Sequence, residues 1–250
     1  MSQVTPLTHL KAWHSPESRT DVIQELIHGV DRYNPSNLSW MEEYLGTQVQ
    51  TGEYDLFANL AILKLYQFNP QLSNPDVIIN ILIKALSATV HGPDFNLCLS
   101  LLREPATILS EIETEDQSLG LVMPLLQNMH ELSRTCQFTA FWKEFNSESE
   151  ASQLLRNTYV PQHANLIESL RNIFAASISS CFSAIPLVRL QRWLDIPAGE
   201  IHAWCSNVGW NVDGEVAAIP KNGDNDVKAG VVKEHVELSQ LTKLVAAAAY

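Results

Sequence analysis

Apolar residues recur along much of the chain at the spacing of an α-helix. In PDVIINILIKALSATV (residues 75–90) one face repeats at intervals of three and four residues, the stripe of an amphipathic helix. The residues of this stripe are Ile78, Ile81, Leu82, Ala85, Leu86 and Thr89. The stretch YDLFANLAILKLYQF (residues 54–68) is apolar almost all round, which predicts a helix packed between neighbouring helices.

Asn-Pro pairs punctuate these helical stretches, at Asn34-Pro35, Asn69-Pro70 and Asn74-Pro75. The residue before a proline avoids the α conformation, so each pair ends one helix and allows the next to begin. Alternating helices and short turns predict stacked helical hairpins, a HEAT-like array over residues 21–160. Residues 1–20 are predicted to be a loose leader.

An acidic stretch, SEIETEDQS (Ser110 to Ser118), interrupts the array. It lacks the glycine and the ligand spacing of a calcium-binding loop. We therefore expect a solvated loop here.

The pattern changes in the last part of the chain. A long helix is predicted from Asn165 to about Ser183, followed by two shorter helical stretches that end at Gly209. In GWNVDGEVAAIP (residues 209–220), two short strands flank an Asp-Gly turn, the signature of a tight hairpin. The closing stretch predicts a strand that turns into a helix near Ser239. Residues 161–250 therefore predict a winged helix, and the whole chain an all-α-dominated fold with a small antiparallel sheet.

The charge of the chain disfavours nucleic acid as the partner of this winged helix. Sixteen Lys and Arg against 28 Asp and Glu give a net charge of −12, and residues 193–219 contain no Lys or Arg. Reading DNA requires cations and base-reading side chains, so DNA binding is excluded. Arg189 and Arg192 are the candidates for a weak RNA contact, whose signature would be a steep salt dependence.

The wing offers apolar residues instead. Trp193, Trp204 and Trp210 are predicted to fill the small core of the winged helix. The strand is the better binding candidate, because a short sheet has an edge that a partner can cover; its candidates are Val216, Ala218 and Ile219. In the helical array the candidates are Tyr33, Tyr44 and Tyr54, which either anchor a partner or pack between helices.

The sequence carries no enzyme motif. It has no nucleophile elbow, phosphate-binding loop or dinucleotide fingerprint, so we expect neither catalysis nor a cofactor. The four cysteines are far apart and lie in apolar stretches, which predicts buried, reduced thiols and no metal site. The longest uncharged run, residues 172–188, is too short and polar to span a bilayer. We expect a soluble cytoplasmic protein, which can also be present in the nucleus.

A helical array capped by a winged helix without nucleic-acid chemistry resembles the PCI-domain family, which builds scaffolds of the proteasome lid, the COP9 signalosome and a translation initiation factor. Two stretches, GVDRYNPSNLSWMEEYL (residues 29–45) and YDLFANLAILKLYQFNP (residues 54–70), are similar to the subunit k family of eukaryotic translation initiation factor 3. So are TCQFTAFWKEF (residues 135–145) and QRWLDIP ahead of VGW. The leader, the acidic stretch, the SESEASQ loop and the Ala-rich tail depart from the family pattern.

The resemblance implies a non-catalytic subunit of the factor that binds the small ribosomal subunit during initiation. Subunit l would be its nearest partner, with the rest of the PCI core, including subunit e, close by. Two alternatives stay open at this point. One is a PCI scaffold subunit of a proteasome-lid or signalosome-like complex, and the other is a winged-helix protein that contacts RNA weakly.

Overall fold

The computed structural model describes residues 16, 17, 19–102, 117–226 and 238–248. Most of the predicted leader, most of the acidic stretch and the strand predicted before Ser239 lie outside these residues. The described part contains twelve α-helices: α1 Asp21–His28, α2 Leu38–Thr51, α3 Leu56–Phe68, α4 Pro75–Leu86, α5 Asp94–Leu101, α6 Ser118–Arg134, α7 Phe138–Phe145, α8 Glu150–Leu154, α9 Leu166–Cys181, α10 Leu187–Leu194, α11 Ile201–Asn207 and α12 Leu238–Ala248. Short strands β1 Ala184–Pro186, β2 Asn211–Asp213 and β3 Val216–Ala218 complete it.

Side-chain caps define where several helices begin. The Thr20 hydroxyl accepts from the backbone N–H of Ile23 at the start of α1, and the Asp55 carboxylate accepts from Ala58 at the start of α3. The Asn74 amide caps α4, whose first residue is Pro75. Each cap satisfies a backbone donor that the first turn leaves free, so the Asn-Pro punctuation acts as predicted.

The helices of the array stack so that alternate helices run side by side. The Tyr54 hydroxyl, just before α3, donates to the Asp94 carboxylate at the start of α5 over 2.9 Å. The Phe95 ring on α5 stacks on the His130 ring near the end of α6 at a centroid distance of 4.4 Å. The beginnings of α3 and α5 therefore lie together, near the end of α6.

A buried polar network ties the end of the predicted leader to the array. Arg19 donates to both oxygens of Asp55, at 2.6 and 2.7 Å, and both side chains are almost completely buried. The Tyr44 hydroxyl donates to the same carboxylate, and the Gln48 side chain accepts from the Asp55 N–H. The chain is therefore held in place from at least Arg19, before α1 begins.

The winged helix carries a three-stranded antiparallel sheet of order β1-β3-β2. The β2–β3 hairpin turns at Gly214, whose φ of +59° is the conformation that favours glycine. Helices α9 and α12 confirm the predicted long helix and closing helix. Strand β1 was missing from the sequence-based prediction, and it pairs with β3 through Ile185 opposite Ala217.

One hydrophobic core extends across the predicted boundary at residue 160. Three rings of α7, those of Phe138, Phe141 and Trp142, pack on the Phe174 ring of α9 with centroids 4.5 to 5.9 Å apart. The Trp142 indole N–H donates to the carbonyl of Trp193 in α10 over 2.9 Å. The architecture is mostly helical with a small antiparallel sheet, as predicted, and the array and the winged helix share one core.

Within the described ranges, no helix combines the length and hydrophobicity that a membrane span requires.

Two of the four cysteines are buried, as the sequence predicts. Cys98 and Cys205 are buried, and burial raises the pKa of their thiols, to about 12 and about 11. The prediction is wrong for Cys136 and Cys181, which are exposed. Cys136 lies in the turn after α6 and Cys181 at the last position of α9, and the ends of helices are less enclosed than their middles.

Candidate partner-binding surfaces

Two strands of the winged-helix sheet, β1 and β3, present apolar side chains to solvent, and β2 adds Asn211 and Asp213 beside them on the same face. Ile185 and Ala217 point into the core and are 1% and 0% exposed. Because side chains alternate along a strand, their neighbours point outward. These exposed residues, Ala184 and Pro186 on β1 and Val216 and Ala218 on β3, lie directly opposite one another in the register. We call these four residues the wing face.

The wing face includes two of the three sheet residues that the sequence singles out. Val216 is 38% exposed and Ala218 is exposed, whereas Ile219 is 6% exposed and its backbone N–H donates to the carbonyl of Ser183. The expectation that Ile219 is exposed is wrong, because it follows Ala217 by two residues and points into the same core.

The position of β3 also differs from the expectation. It is the central strand, paired with β1 on one side and β2 on the other, so it has no open edge. A partner strand therefore cannot add to β3. A partner can contact this strand only through its outward side chains, Val216 and Ala218.

Two of the three candidate tyrosines are buried between helices. Tyr44 and Tyr54 are 7% and 8% exposed, and their hydroxyls donate to Asp55 and Asp94. Burial, together with the charge of Asp94, raises the pKa of the Tyr54 hydroxyl. The packing interpretation is thus the correct one for both residues, and they are not surface anchors.

Tyr33 belongs to a second exposed surface. Its ring is 48% exposed and meets the Phe68 ring, 59% exposed, edge to face at 6.1 Å. The Arg32 guanidinium lies 4.7 Å from the centroid of the Tyr33 ring, and the Lys64 ammonium lies 4.7 Å from that of Phe68. We call these four residues the aromatic patch. Phe68 was missed because its stretch is apolar all round and the pattern does not show which end is exposed.

The tryptophans of the winged helix serve its core, as predicted. Trp204 and Trp210 are 7% and 3% exposed and meet edge to face at 5.7 Å. The Trp204 indole N–H donates to Glu168 on α9 over 3.1 Å. Trp193 is half-buried and packs against Phe138 and Phe182.

The two arginines proposed for RNA contact are exposed on α10. Arg189 lies over the Trp193 ring at 5.9 Å, and Arg192 is one turn further along. The surface that follows carries exposed acids at Asp195, Glu200 and Asp213. An RNA contact through these arginines stays a prediction.

The titratable side chains of the described residues pack against their neighbours rather than forming a site for a metal or for proton transfer. Within these ranges, no three His, Cys, Asp or Glu residues form a group that could hold a metal ion. His163 is buried, with Nε2 2.9 Å from the Asn80 amide oxygen, and burial near Lys84 lowers its pKa to about 3. Such a histidine stays neutral and is enclosed, so it is not suited to proton transfer with a substrate.

Comparison with known proteins decides the family. The sequence signature described as the CSN8/PSMD8/EIF3K family matches residues 72–230. Eukaryotic translation initiation factor 3 subunit K of Cryptococcus neoformans is 67% identical over 242 residues, which cover 97% of each chain. The chain belongs to the CSN8/PSMD8/EIF3K family.

Other members of the CSN8/PSMD8/EIF3K family are similar over most of their length. Eukaryotic translation initiation factor 3 subunit K of Mycosarcoma maydis is 36% identical, with 94% of each chain covered. That of Phaeosphaeria nodorum is 32% identical, covering 92% of this chain and 94% of the relative. The resemblance to the subunit k family is thereby confirmed, and these relatives carry the name of an initiation factor subunit, not of an enzyme.

Proposed function

We propose that the chain is a non-catalytic scaffold subunit of eukaryotic translation initiation factor 3. The observation that carries this proposal is the 67% identity to a subunit K over 97% of both chains. A scaffold acts through protein–protein contacts, and the described surface supports that role with an exposed apolar wing face and an exposed aromatic patch. The protein would act in the cytoplasm, in initiation on the small ribosomal subunit.

The finer partners follow from the family resemblance. Subunit l would be the nearest partner, with subunit e close by, and the ribosome would be reached through the complex. The wing face is the surface proposed for the nearest partner, because its four side chains are apolar and free of cations. Docking on its side chains, rather than strand addition, fits the central position of β3.

The two alternatives receive less support. The family signature includes proteasome-lid and signalosome subunits by name, but the full-length relatives described above are initiation factor subunits. A general RNA-binding role is disfavoured by the net charge of −12.

The proposal is tested by capturing the tagged chain from its own cells and identifying the proteins that stay bound after a wash at about 0.5 M salt, where the Debye length falls to ~4 Å. Initiation factor subunits, with subunit l strongest, are the expected result. Recovery of lid or signalosome subunits, or of RNA that is released by the salt, would contradict the proposal.

A variant pair tests the wing face in the same assay. Val216→Asp places a charge on the wing face and should lower the recovery of subunit l about tenfold, because an unpaired buried charge opposes the interface. The matched control is Val22→Asp on α1, a valine that is 49% exposed and outside the sheet. Val22→Asp should keep the wild-type melting temperature, whereas Val216→Asp faces Asp213 across the hairpin and should lower it slightly while the chain stays folded. Equal recovery with the two variants would exclude the wing face as the contact surface.

A further inference from the structure

The aromatic patch holds two cations above exposed rings. Val30–Tyr33 and Pro70–Leu72 are short helical turns packed against α3, which ends at Phe68 between them. Arg32 and Lys64 therefore sit at one end of the array, each 4.7 Å from a ring centroid. Lys64 also donates to the Gln67 amide oxygen over 2.7 Å. These contacts restrict the positions of the two charges, that of Lys64 through the ring and the hydrogen bond and that of Arg32 through the ring.

These two cations differ from the other described cations in their surroundings, because each lies over a ring and the two rings contact each other. Arg19, Arg134 and Lys221 each form an ion pair, with Asp55, Glu131 and Asp226. Arg32 and Lys64 have no ion pair with any described residue, although Asp31 is the sequence neighbour of Arg32. In a chain with 28 acidic side chains and 16 cationic ones, the aromatic patch thus places two cations beside one exposed pair of rings.

We infer that the aromatic patch binds an acidic segment of a partner protein, with an apolar side chain of that segment seated on the Tyr33 and Phe68 rings. This inference rests on the proposed scaffold function and adds a second contact surface, distinct from the wing face. The guanidinium of Arg32 offers its outer N–H groups to a carboxylate, and the Lys64 ammonium offers a second positive charge.

The charges and the shape of the aromatic patch favour an acidic segment over a second copy of this chain or RNA. A stacked cation loses less side-chain freedom when it pairs with a carboxylate, so the patch is preorganised for an anion. The rings are about half exposed, which provides the apolar area that anchors an interface. A second copy of this strongly acidic chain would bring long-range repulsion. RNA requires more cations than two, so an acidic peptide is the better match.

Site-specific crosslinking tests the inference in the full chain. A photoreactive p-benzoylphenylalanine replaces Tyr33, the tagged protein is irradiated in its own cells, and the crosslinked peptide is sequenced. The control carries the same residue in place of Leu97 on α5, which is 39% exposed. The expected product is a segment of another initiation factor subunit with several Asp or Glu residues close to an apolar one.

A charge-reversal variant provides a second test of the inference. The double variant Arg32→Glu and Lys64→Glu should lower the yield of that crosslink about tenfold, because like charges then face the acidic segment. Lys143→Glu, an exposed lysine on α7, is the matched control and should leave the yield unchanged. Arg32 is exposed and Lys64 is half-buried, so the melting temperature of each variant is measured to show that it remains folded.

The outcomes separate the two proposals. Crosslinks to RNA, to this chain itself or to a segment without carboxylates would overturn the inference, and so would a yield no higher than that from position 97 or one that charge reversal leaves unchanged. Capture of initiation factor subunits would continue in all those cases. If the wild-type chain captures no such subunit, the proposed function itself is wrong.

Discussion

At the scale of single residues, burial separates side chains that look alike in the sequence. Val216 and Ile219 are neighbouring aliphatic residues of one strand region, yet the first is 38% and the second 6% exposed. Side chains alternate between the two faces of a strand, so if Ala217 points inward, Ile219 does too. What the sequence could not supply is which of the two faces meets the core, because small apolar residues occupy both.

The tyrosines illustrate the same limit in the helical array. Tyr44 and Tyr54 are enclosed because each hydroxyl reaches a buried carboxylate, on Asp55 or Asp94. These partners lie 11 and 40 residues away along the chain. Only the stacking of the helices brings the second pair together, so no local pattern could distinguish these tyrosines from Tyr33.

His163 should make the stability of the protein depend on pH. Burial and the nearby Lys84 lower its pKa to about 3 in the folded state, whereas the unfolded chain has the ordinary value of about 6.5. Below about pH 6.5 the unfolded state therefore binds the additional proton. Stability is complete above that pH and falls as the pH decreases towards 3.

The test compares the wild-type chain with His163→Gln, whose amide can still donate to the Asn80 oxygen. Between pH 7 and pH 5, the wild-type free energy of unfolding should decrease by about 2 kcal/mol more than that of the variant. Urea unfolding at both pH values measures this difference. Identical pH dependence would show that His163 is not the neutral, buried group described here.

At the scale of elements, the sequence predicts the long helices well and does not predict strand β1. Helices α3 and α4 have long apolar patterns and side-chain caps, and α9 has a long apolar pattern, so their positions follow from periodicity, with capping added in the first two. Strand β1 has three residues and ends in Pro186, directly before α10. All three strands have only three residues, too few for alternation to be recognisable; β2 and β3 are marked by the Asp-Gly turn between them, whereas β1 has no such signal and forms because β3 lies beside it.

The start of α3 depends on the buried ion pair between Arg19 and Asp55. Removing the charge of Asp55 should therefore lower the stability of the protein strongly. Asp55→Asn keeps an oxygen for the Ala58 N–H but leaves the Arg19 guanidinium buried without its counter-ion. The variant should lose about 3 kcal/mol or more of unfolding free energy. Urea denaturation followed by circular dichroism measures the loss.

The matched control for this change is Glu131→Gln. Glu131 pairs with Arg134 on the surface of α6, where both side chains are about half exposed and water compensates for the lost charge. Its unfolding midpoint should stay close to that of the wild type. A similar midpoint for Asp55→Asn would mean that the Arg19 pair does not hold the leader to α3.

At the scale of the whole molecule, the sequence predicts the two parts but not how closely they are joined. The helical array and the winged helix each have their own pattern, so a division near residue 160 is a natural interpretation. The structure adds the packing of three α7 rings on Phe174 and the hydrogen bond from Trp142 to Trp193. These contacts join residues 32 to 51 positions apart, beyond the reach of local periodicity.

A shared core predicts that the array and the winged helix unfold together. Incorporation of 5-fluorotryptophan gives separate ¹⁹F signals for Trp142 in the array and Trp210 in the winged helix, both of which are 3% exposed. Their native signals should disappear at the same urea concentration. Two distinct midpoints would show that residues 21–160 and 161–250 behave as independent domains.

The Phe174 ring, on which the three α7 rings pack, provides a direct test of the shared core. Phe174 is 0% exposed, so Phe174→Ala should remove about 3 to 5 kcal/mol and shift both ¹⁹F midpoints by the same amount. Phe68→Ala, which truncates a ring that is 59% exposed, should leave both midpoints nearly unchanged. If Phe174→Ala lowered only the Trp210 midpoint, the ring would stabilise the winged helix alone. A common shift would mean that a partner bound at the wing face also stabilises the array, because both belong to one cooperative unit.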